Sequence, residues 1–216
     1  MFSNLDIYAL MIHLLVMFLA FPIHECAHAF VAMKLGDNTA KYQGRVTLNP
    51  ISHLSVLGSV MMILVGFGWA KPVPVNPLNF THKISRKTGM ALTALAGPVS
   101  NLLLAFVFVI IFKLLPYNVN PNLAVIILQI VLLNLGLAIF NLIPCPPLDG
   151  SRILLLILNE RQYFNLMRYE MFFFMGIMFL FSFGLSLGFI DFIEYKILGV
   201  FDFLTGWVDM IAKAIY

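Results

Sequence analysis

Two apolar runs, residues 88–115 and 123–143, follow each other in this chain with only a short turn, PYNVNP, between them. A helix needs about 20 apolar residues to cross the hydrocarbon core of a bilayer. Each run is long enough, and Pro116, Asn118, Asn120 and Pro121 stop both helices. The pair therefore reads as a helical hairpin in a membrane. Composition agrees: 61% of the 216 residues are hydrophobic and 11% charged, against roughly 45–50% apolar and 25% charged in soluble domains. Mean hydropathy is +0.95. The length leaves room for at most about six crossings and excludes a separate soluble module. A net charge of +3 without a long basic run is better read as topology than as nucleic-acid affinity, so the expected partners are the lipid bilayer and no nucleic acid. Cys26 and Cys145 lie inside apolar segments and offer neither a disulfide framework nor a four-cysteine metal site.

Along the chain, the first apolar run, residues 7–31, has no Lys or Arg before it and a polar cluster in place of a small-residue cleavage site, so it reads as a retained helix. Residues 39–48 (TAKYQGRVTL) mix β-branched and polar types around Gly44, a pattern that predicts strands. Residues 54–70 are apolar but short and glycine-rich, and residues 71–87 carry Pro72, Pro74, Pro77, Lys83, Arg86 and Lys87 in a composition that fits an exposed linker. A proline-rich break at 144–150 leads to a polar patch around Glu160, Arg161 and Arg168, then to an apolar run at 171–190. From Lys196, the residues Leu198, Phe201, Leu204, Val208 and Ile211 recur at helical spacing, which suits a helix lying in the interface. The expected fold is an all-α polytopic membrane protein, one membrane-embedded domain over 1–216 with its core at 5–158 and C-terminal helices at 170–216. It would have about four transmembrane helices, a re-entrant segment and a small β-hairpin or sheet near the cytoplasmic face.

The chemistry concentrates in His24-Glu25-Cys26-Ala27-His28, an H-E-x-x-H pattern near the end of the first apolar run. Spacing of four on a helix puts both imidazoles on one face, where they can bind one zinc, while Glu25 can reach a water at the metal as general base. Ionisable groups inside a spanning run are costly and are functional by default. The alternative is a pair of histidines satisfied by hydrogen bonds within a helix bundle.

A zinc that keeps one position open needs a third protein ligand. His13 is too far, because eleven residues along a helix cover about 16 Å. His53, His82, Asp149 and Glu160 remain. His82 in the basic linker and Glu160 in a polar patch read as solvated surface groups. Asp149 follows Pro144, Pro146 and Pro147 and precedes Gly150. Irregular backbone directly after a spanning helix is tolerated where it lines a polar cavity or is buried in protein, so a carboxylate there can meet a cation. A capping Asp in a membrane-edge turn is the alternative.

With His24-Glu25-x-x-His28 in a first transmembrane helix and Asn141-Leu-Ile-Pro144-Cys-Pro146-Pro-Leu148-Asp149-Gly150 downstream, the chain resembles the site-2 protease family of intramembrane zinc metallopeptidases. The segments Gly68-Trp69-Ala70-Lys71-Pro72-Val73-Pro74-Val75-Asn76 and Ala96-Gly97-Pro98-Val99-Ser100-Asn101 resemble it too, in order over residues 20–156. The resemblance implies that His24, His28 and Asp149 bind Zn2+, that Glu25 activates water, and that Asn141 holds the substrate backbone, although an Asn bonding a neighbouring helix would look the same. Asn101 is carried as a second substrate-binding candidate, while its small neighbours Ala94, Gly97 and Ser100 read as a close helix contact. Short relatives often show His-x-Asp-Pro-x-Gly where this chain has His53-Leu54-Ser55-Val56-Leu57-Gly58, which leaves His53 without an assigned role. The inserted extracytoplasmic peptide-binding domain of some members is not found in this sequence.

Charge counting bears on the metal assignment separately. If residues 54–70 dip in and return, ten Lys and Arg share one side, against Lys113, Lys196 and Lys213 opposite; if the segment crosses, the split is six against seven. Only the first arrangement gives a positive-inside bias. It also gives an even number of crossings between His28 and Asp149, an extracytoplasmic N-terminus and a site toward the cytoplasmic side. The expected activity is that of a multi-pass cell-membrane zinc metalloendopeptidase acting on transmembrane protein substrates in regulated intramembrane proteolysis. The expected mechanism unwinds the substrate onto an edge strand at 39–48. Two rivals are a metal-ion transporter, which has no need of Glu25 between the histidines, and a non-catalytic membrane-helix-binding protein.

Overall fold

Without water in the hydrocarbon core, backbone groups must pair within their own segment, which a helix does. In the computed structural model, which describes residues 11, 14–65, 68–81, 83–116, 118–182 and 188–215, the chain is accordingly mostly helical. A π-helical turn, Val16–Ala20, runs into α1, Phe21–Lys34. After the short α2, Thr39–Tyr42, comes α3, Val56–Val65, and then the two long helices α4, Arg86–Lys113, and α5, Pro121–Leu142. These two are long and apolar enough to cross a membrane, and they form the hairpin expected at 88–115 and 123–143. Each begins at a side-chain cap: Ser85 Oγ accepts from Thr88 N at 3.1 Å and Asn120 Oδ1 from Asn122 N at 2.9 Å, with Pro121 at the first helical position.

The expectation of strands at 39–48 is corrected. Residues 39–42 are a single helical turn, and Gly44, at φ +67°, closes it in the left-handed conformation. Arg45 N donates to Ala40 O at 2.9 Å and Gly44 N to Lys41 O at 3.0 Å, the bond pair of a glycine-terminated helix end. The glycine amid β-branched residues is thus a helix stop, and the start is fixed by Asp37, whose carboxylate accepts from Thr39 N at 3.0 Å and Thr39 Oγ1 at 2.5 Å. Among the described residues no strand is present; the one β-pairing is an isolated antiparallel bridge between Leu54 and Ala70.

That bridge closes the excursion through α3. Lys71 N donates to His53 O at 2.7 Å beside it, so the two ends of segment 54–70 lie together. A side chain at Gly58 would run into the backbone of Trp69, which is why small residues recur here. Beyond α5, the break at 143–149 leads into α6, Gly150–Ile153, then α7, Glu160–Met167, and α8, Glu170–Ser182. The tail differs from a lone interfacial helix: α9, Gly188–Leu204, and α10, Gly206–Ile215, are separate pieces. Ile197, Leu198 and Phe201 of α9 pack on a core of Ala105, Val131 and Leu135. Lys113, at the end of α4, reaches Asp202 at 2.7 Å and Asp209 at 2.8 Å, tying both pieces to the hairpin.

Asp37 is the polar keystone below α1. Its carboxylate is fully buried and also accepts from Asn76 N at 2.7 Å and Asn79 Nδ2 at 2.9 Å, so it pins the strip 71–79 to the end of α1. Burial alone would raise its pKa, but the bonds from Thr39, Asn79 and Asn76 outweigh it and hold the carboxyl below its ordinary value. A depressed folded-state pKa means stability that is complete above the unfolded value of 3.8 and is lost as pH falls through the folded one. Asp37→Asn should cost about 3 kcal/mol, read as a lowered unfolding temperature in detergent, and the gap to wild type should close as pH drops below the carboxylate range. A gap of the same size at every pH would contradict this.

Candidate metal centre

On α1 the spacing of four places the His24 and His28 rings edge to face, centroids 4.6 Å apart. Both side chains are buried. His28 Nδ1 donates to the backbone oxygen of Thr93 on α4 at 2.7 Å, which fixes the tautomer and leaves Nε2 as a lone pair facing inward. His24 Nε2 lies 3.0 Å from His28 Nε2. Asp149 completes the group: its Oδ2 is 3.1 Å from His24 Nε2 and 3.2 Å from His28 Nε2. Among the described residues this is the one gathering of His, Cys, Asp or Glu able to hold a metal.

The chain after α5 carries Asp149 to this meeting point. Leu148 N donates to Cys145 O at 2.9 Å and Ser151 Oγ to Leu148 O at 2.7 Å, and the backbone at Gly150 packs so tightly on the end of α5 that a Cβ would collide with Leu142 O and Ile143 O. Gly97 does the same on the opposite side. A Cβ there would strike His28 Nε2 and the His24 ring, so α4 meets both imidazoles with bare backbone.

The donor set fits a zinc ion. Asp149 Oδ2 is buried and makes no hydrogen bond, and His24 Nδ1 is also unpartnered. Three electron-rich atoms within 3.2 Å of one another repel unless positive charge lies between them. Two imidazole nitrogens and one carboxylate oxygen are the three-ligand set that leaves a fourth position open.

The centre opens on a cavity of about 1310 Å³. Glu25 lines it beside the trio, and Asn101 and Asn141 line it as well. Asn141 Nδ2 donates to Leu137 O one turn back at 3.0 Å. Asn101 is fully buried with neither amide atom hydrogen-bonded, so its amide makes no bond to a neighbouring helix. His53 does not join the metal group. It is fully buried, faces the oxygen of Thr47 from Nε2 at 2.8 Å and has Arg45 Nη2 3.4 Å from Nδ1. His82 lies outside the described residues.

Arg45 is a residue that sequence reading missed. Counted there only as one of the ten Lys and Arg on one side, it is 3% exposed and donates to Pro72 O at 3.2 Å and Lys71 O at 2.5 Å. With Asp37 it holds the strip whose Trp69, Ala70, Pro72, Val73 and Val75 form a wall of the cavity. Nothing in the sequence separates Arg45 from Lys41, because burial of a cation becomes visible only when its acceptors, two carbonyls from a distant loop, are in place.

Comparison with known proteins adds independent findings. Residues 117–183 match Peptidase family M50. The chain is 47% identical to YwhC of Bacillus subtilis over 142 residues, 62% of this chain and 64% of that one. It is 33% identical to Rip2 of Mycobacterium tuberculosis over 132 residues, 59% of this chain and 50% of that one. With MJ0611 of Methanocaldococcus jannaschii it shares 31% identity over 159 residues, 71% of this chain and 74% of that one. All three carry "zinc metalloprotease" in their names. The aligned region thus spans about half to two thirds of YwhC and Rip2. No solved structure matches the chain.

The tight cradle at Gly97 makes a test. Gly97→Ala should displace the imidazoles and lower bound metal from about one ion per chain to well under half, by elemental analysis of protein with unchanged helical circular dichroism. Full metal content in that variant would contradict the cradle.

Proposed function

Because the chain belongs to peptidase family M50, the site-2 protease family, we propose that it is an intramembrane zinc metalloendopeptidase that hydrolyses peptide bonds in or near transmembrane segments of other membrane proteins. The observation that carries this reading is the convergence of His24, His28 and Asp149 on one point at the edge of a large cavity that Glu25 also lines. Zinc held by His24, His28 and Asp149 would supply the Lewis acidity that polarises the scissile carbonyl. Glu25 takes a proton from the attacking water and returns it to the leaving nitrogen. Thr93 O holds His28 in the ligating tautomer. Asn141 and Asn101 are assigned to the substrate backbone; the unsatisfied amide of Asn101 supports this, since an extended peptide offers the donors and acceptors it lacks.

The same reading makes the chain one multi-pass membrane domain with about four crossings, segment 54–70 re-entrant, the N-terminus extracytoplasmic and the centre toward the cytoplasmic side. The pairing of Leu54 with Ala70 supports a segment that returns to the side it left, and the charge bias that follows from it supports the orientation.

Purified protein in liposomes with a single-pass substrate tests activity and depth together. Glu25→Gln should keep its zinc and lose cleavage by about a thousandfold, and mass spectrometry of wild-type products should place the cut in the cytoplasmic half of the substrate's transmembrane segment. Cleavage by Glu25→Gln at the wild-type rate, or cuts only in soluble loops, would contradict the proposal.

A further inference from the structure

Two carboxylates that the chemistry above does not use, Glu170 and Glu194, line the cavity, and Glu194 is the one that meets Gly136 of α5. Glu194, on α9, lines the same cavity as His24 and Asp149, and its Oε1 stands 3.0 Å from the point a Cβ on Gly136 would occupy. Any larger residue at 136 would crowd that carboxylate, so the glycine of α5 makes the room for it. Among the described residues Glu194 has no hydrogen bond and no ion pair. Asp191, three residues earlier on the same helix, adds like charge on the same face.

Position along α5 sets the depth. Asp149 is held at the level of Leu142 and Ile143 by the packing of Gly150, and Gly136 is six residues back along the helix, about 9 Å. Glu194 therefore sits within the hydrocarbon span, where an unpaired carboxylate is costly and marks a functional site. Nine ångströms is about three residues of extended peptide, so a substrate strand with its scissile bond at the metal centre would pass Glu194 three residues away.

Building on the protease reading, we propose that Glu194 is a specificity-determining residue whose carboxylate, in the space left by Gly136, receives a cationic side chain, lysine or arginine, about three residues to the extracytoplasmic side of the scissile bond. The cation would neutralise a charge that no described residue pairs, and a like-charged residue at that position would be rejected.

The test uses zinc-loaded Glu25→Gln protein in phosphatidylcholine nanodiscs, so that binding is read without turnover. Its probes are leucine-alanine transmembrane peptides carrying a single lysine, norleucine or glutamate at each position in turn. Lysine at one position should bind about tenfold tighter than norleucine. Adding Glu194→Gln should abolish that ratio, Glu194→Asp should retain part of it, and Glu194→Lys should invert it in favour of glutamate, with zinc content and circular dichroism unchanged. The same lysine-to-norleucine ratio with and without Glu194→Gln, or no difference at any position, would overturn the proposal. Cleavage of the same peptides by the protein with Glu25 intact is a separate arm: selective binding without cleavage would leave the subsite standing and sink the protease reading.

Discussion

Three lone pairs meeting inside a membrane protein are unstable company. His24, His28 and Asp149 bring donor atoms within 3.2 Å of one another at the edge of a cavity, and positive charge among them, a bound metal ion or a proton on an imidazole, is what makes the arrangement favourable. Much of the architecture answers that constraint. The helix α1 supplies two imidazoles at one spacing, the α4–α5 hairpin brings the chain back beside them, and the break after Leu142 carries Asp149 to meet them. Gly97 and Gly150 act at the two points of closest approach, one letting α4 touch the imidazoles and the other letting the Asp149 turn lie flat on the end of α5.

A second tier of buried polar bonds shapes the space around the centre. Asp37 and Arg45 each grip backbone of the strip between α3 and α4, and His53 stands beside Arg45. Such groups are tolerated under burial because their hydrogen bonds are nearly complete; Arg45 Nε is an exception. The result is a cavity wall set by side-chain acceptors and donors rather than by a sheet. On the far side, α9 is tied to the end of α4 through Lys113 and its two aspartates, which keeps Glu194 in the cavity.

What was legible in the sequence was whatever rests on local spacing or on the cost of polarity in a membrane. His24, Glu25 and His28 stood out as an H-E-x-x-H pattern whose spacing of four puts both imidazoles on one helix face, and the hairpin followed from the lengths of two apolar runs. Asp149 stood out because proline-rich backbone after a spanning helix needs a reason to be there, though its role came through family resemblance. The segment 39–48 was misread because Gly44 among Thr, Val and Tyr has the composition of a strand, while its actual conformation depends on Asp37 capping one side and a left-handed glycine closing the other. Arg45 and Glu194 were invisible for a further reason: each is defined by partners or space contributed by residues far along the chain, Pro72 for one and Gly136 for the other.

X-ray absorption at the zinc edge of the purified protein tests the central claim, a single zinc held by two imidazoles and one carboxylate, most directly. The account predicts two nitrogen ligands and one or two oxygens at about 2.0–2.2 Å, and a first shell that changes when Asp149 is replaced by Ala. A sulfur ligand, a shell with one or no imidazole, or a spectrum untouched by Asp149→Ala would contradict it.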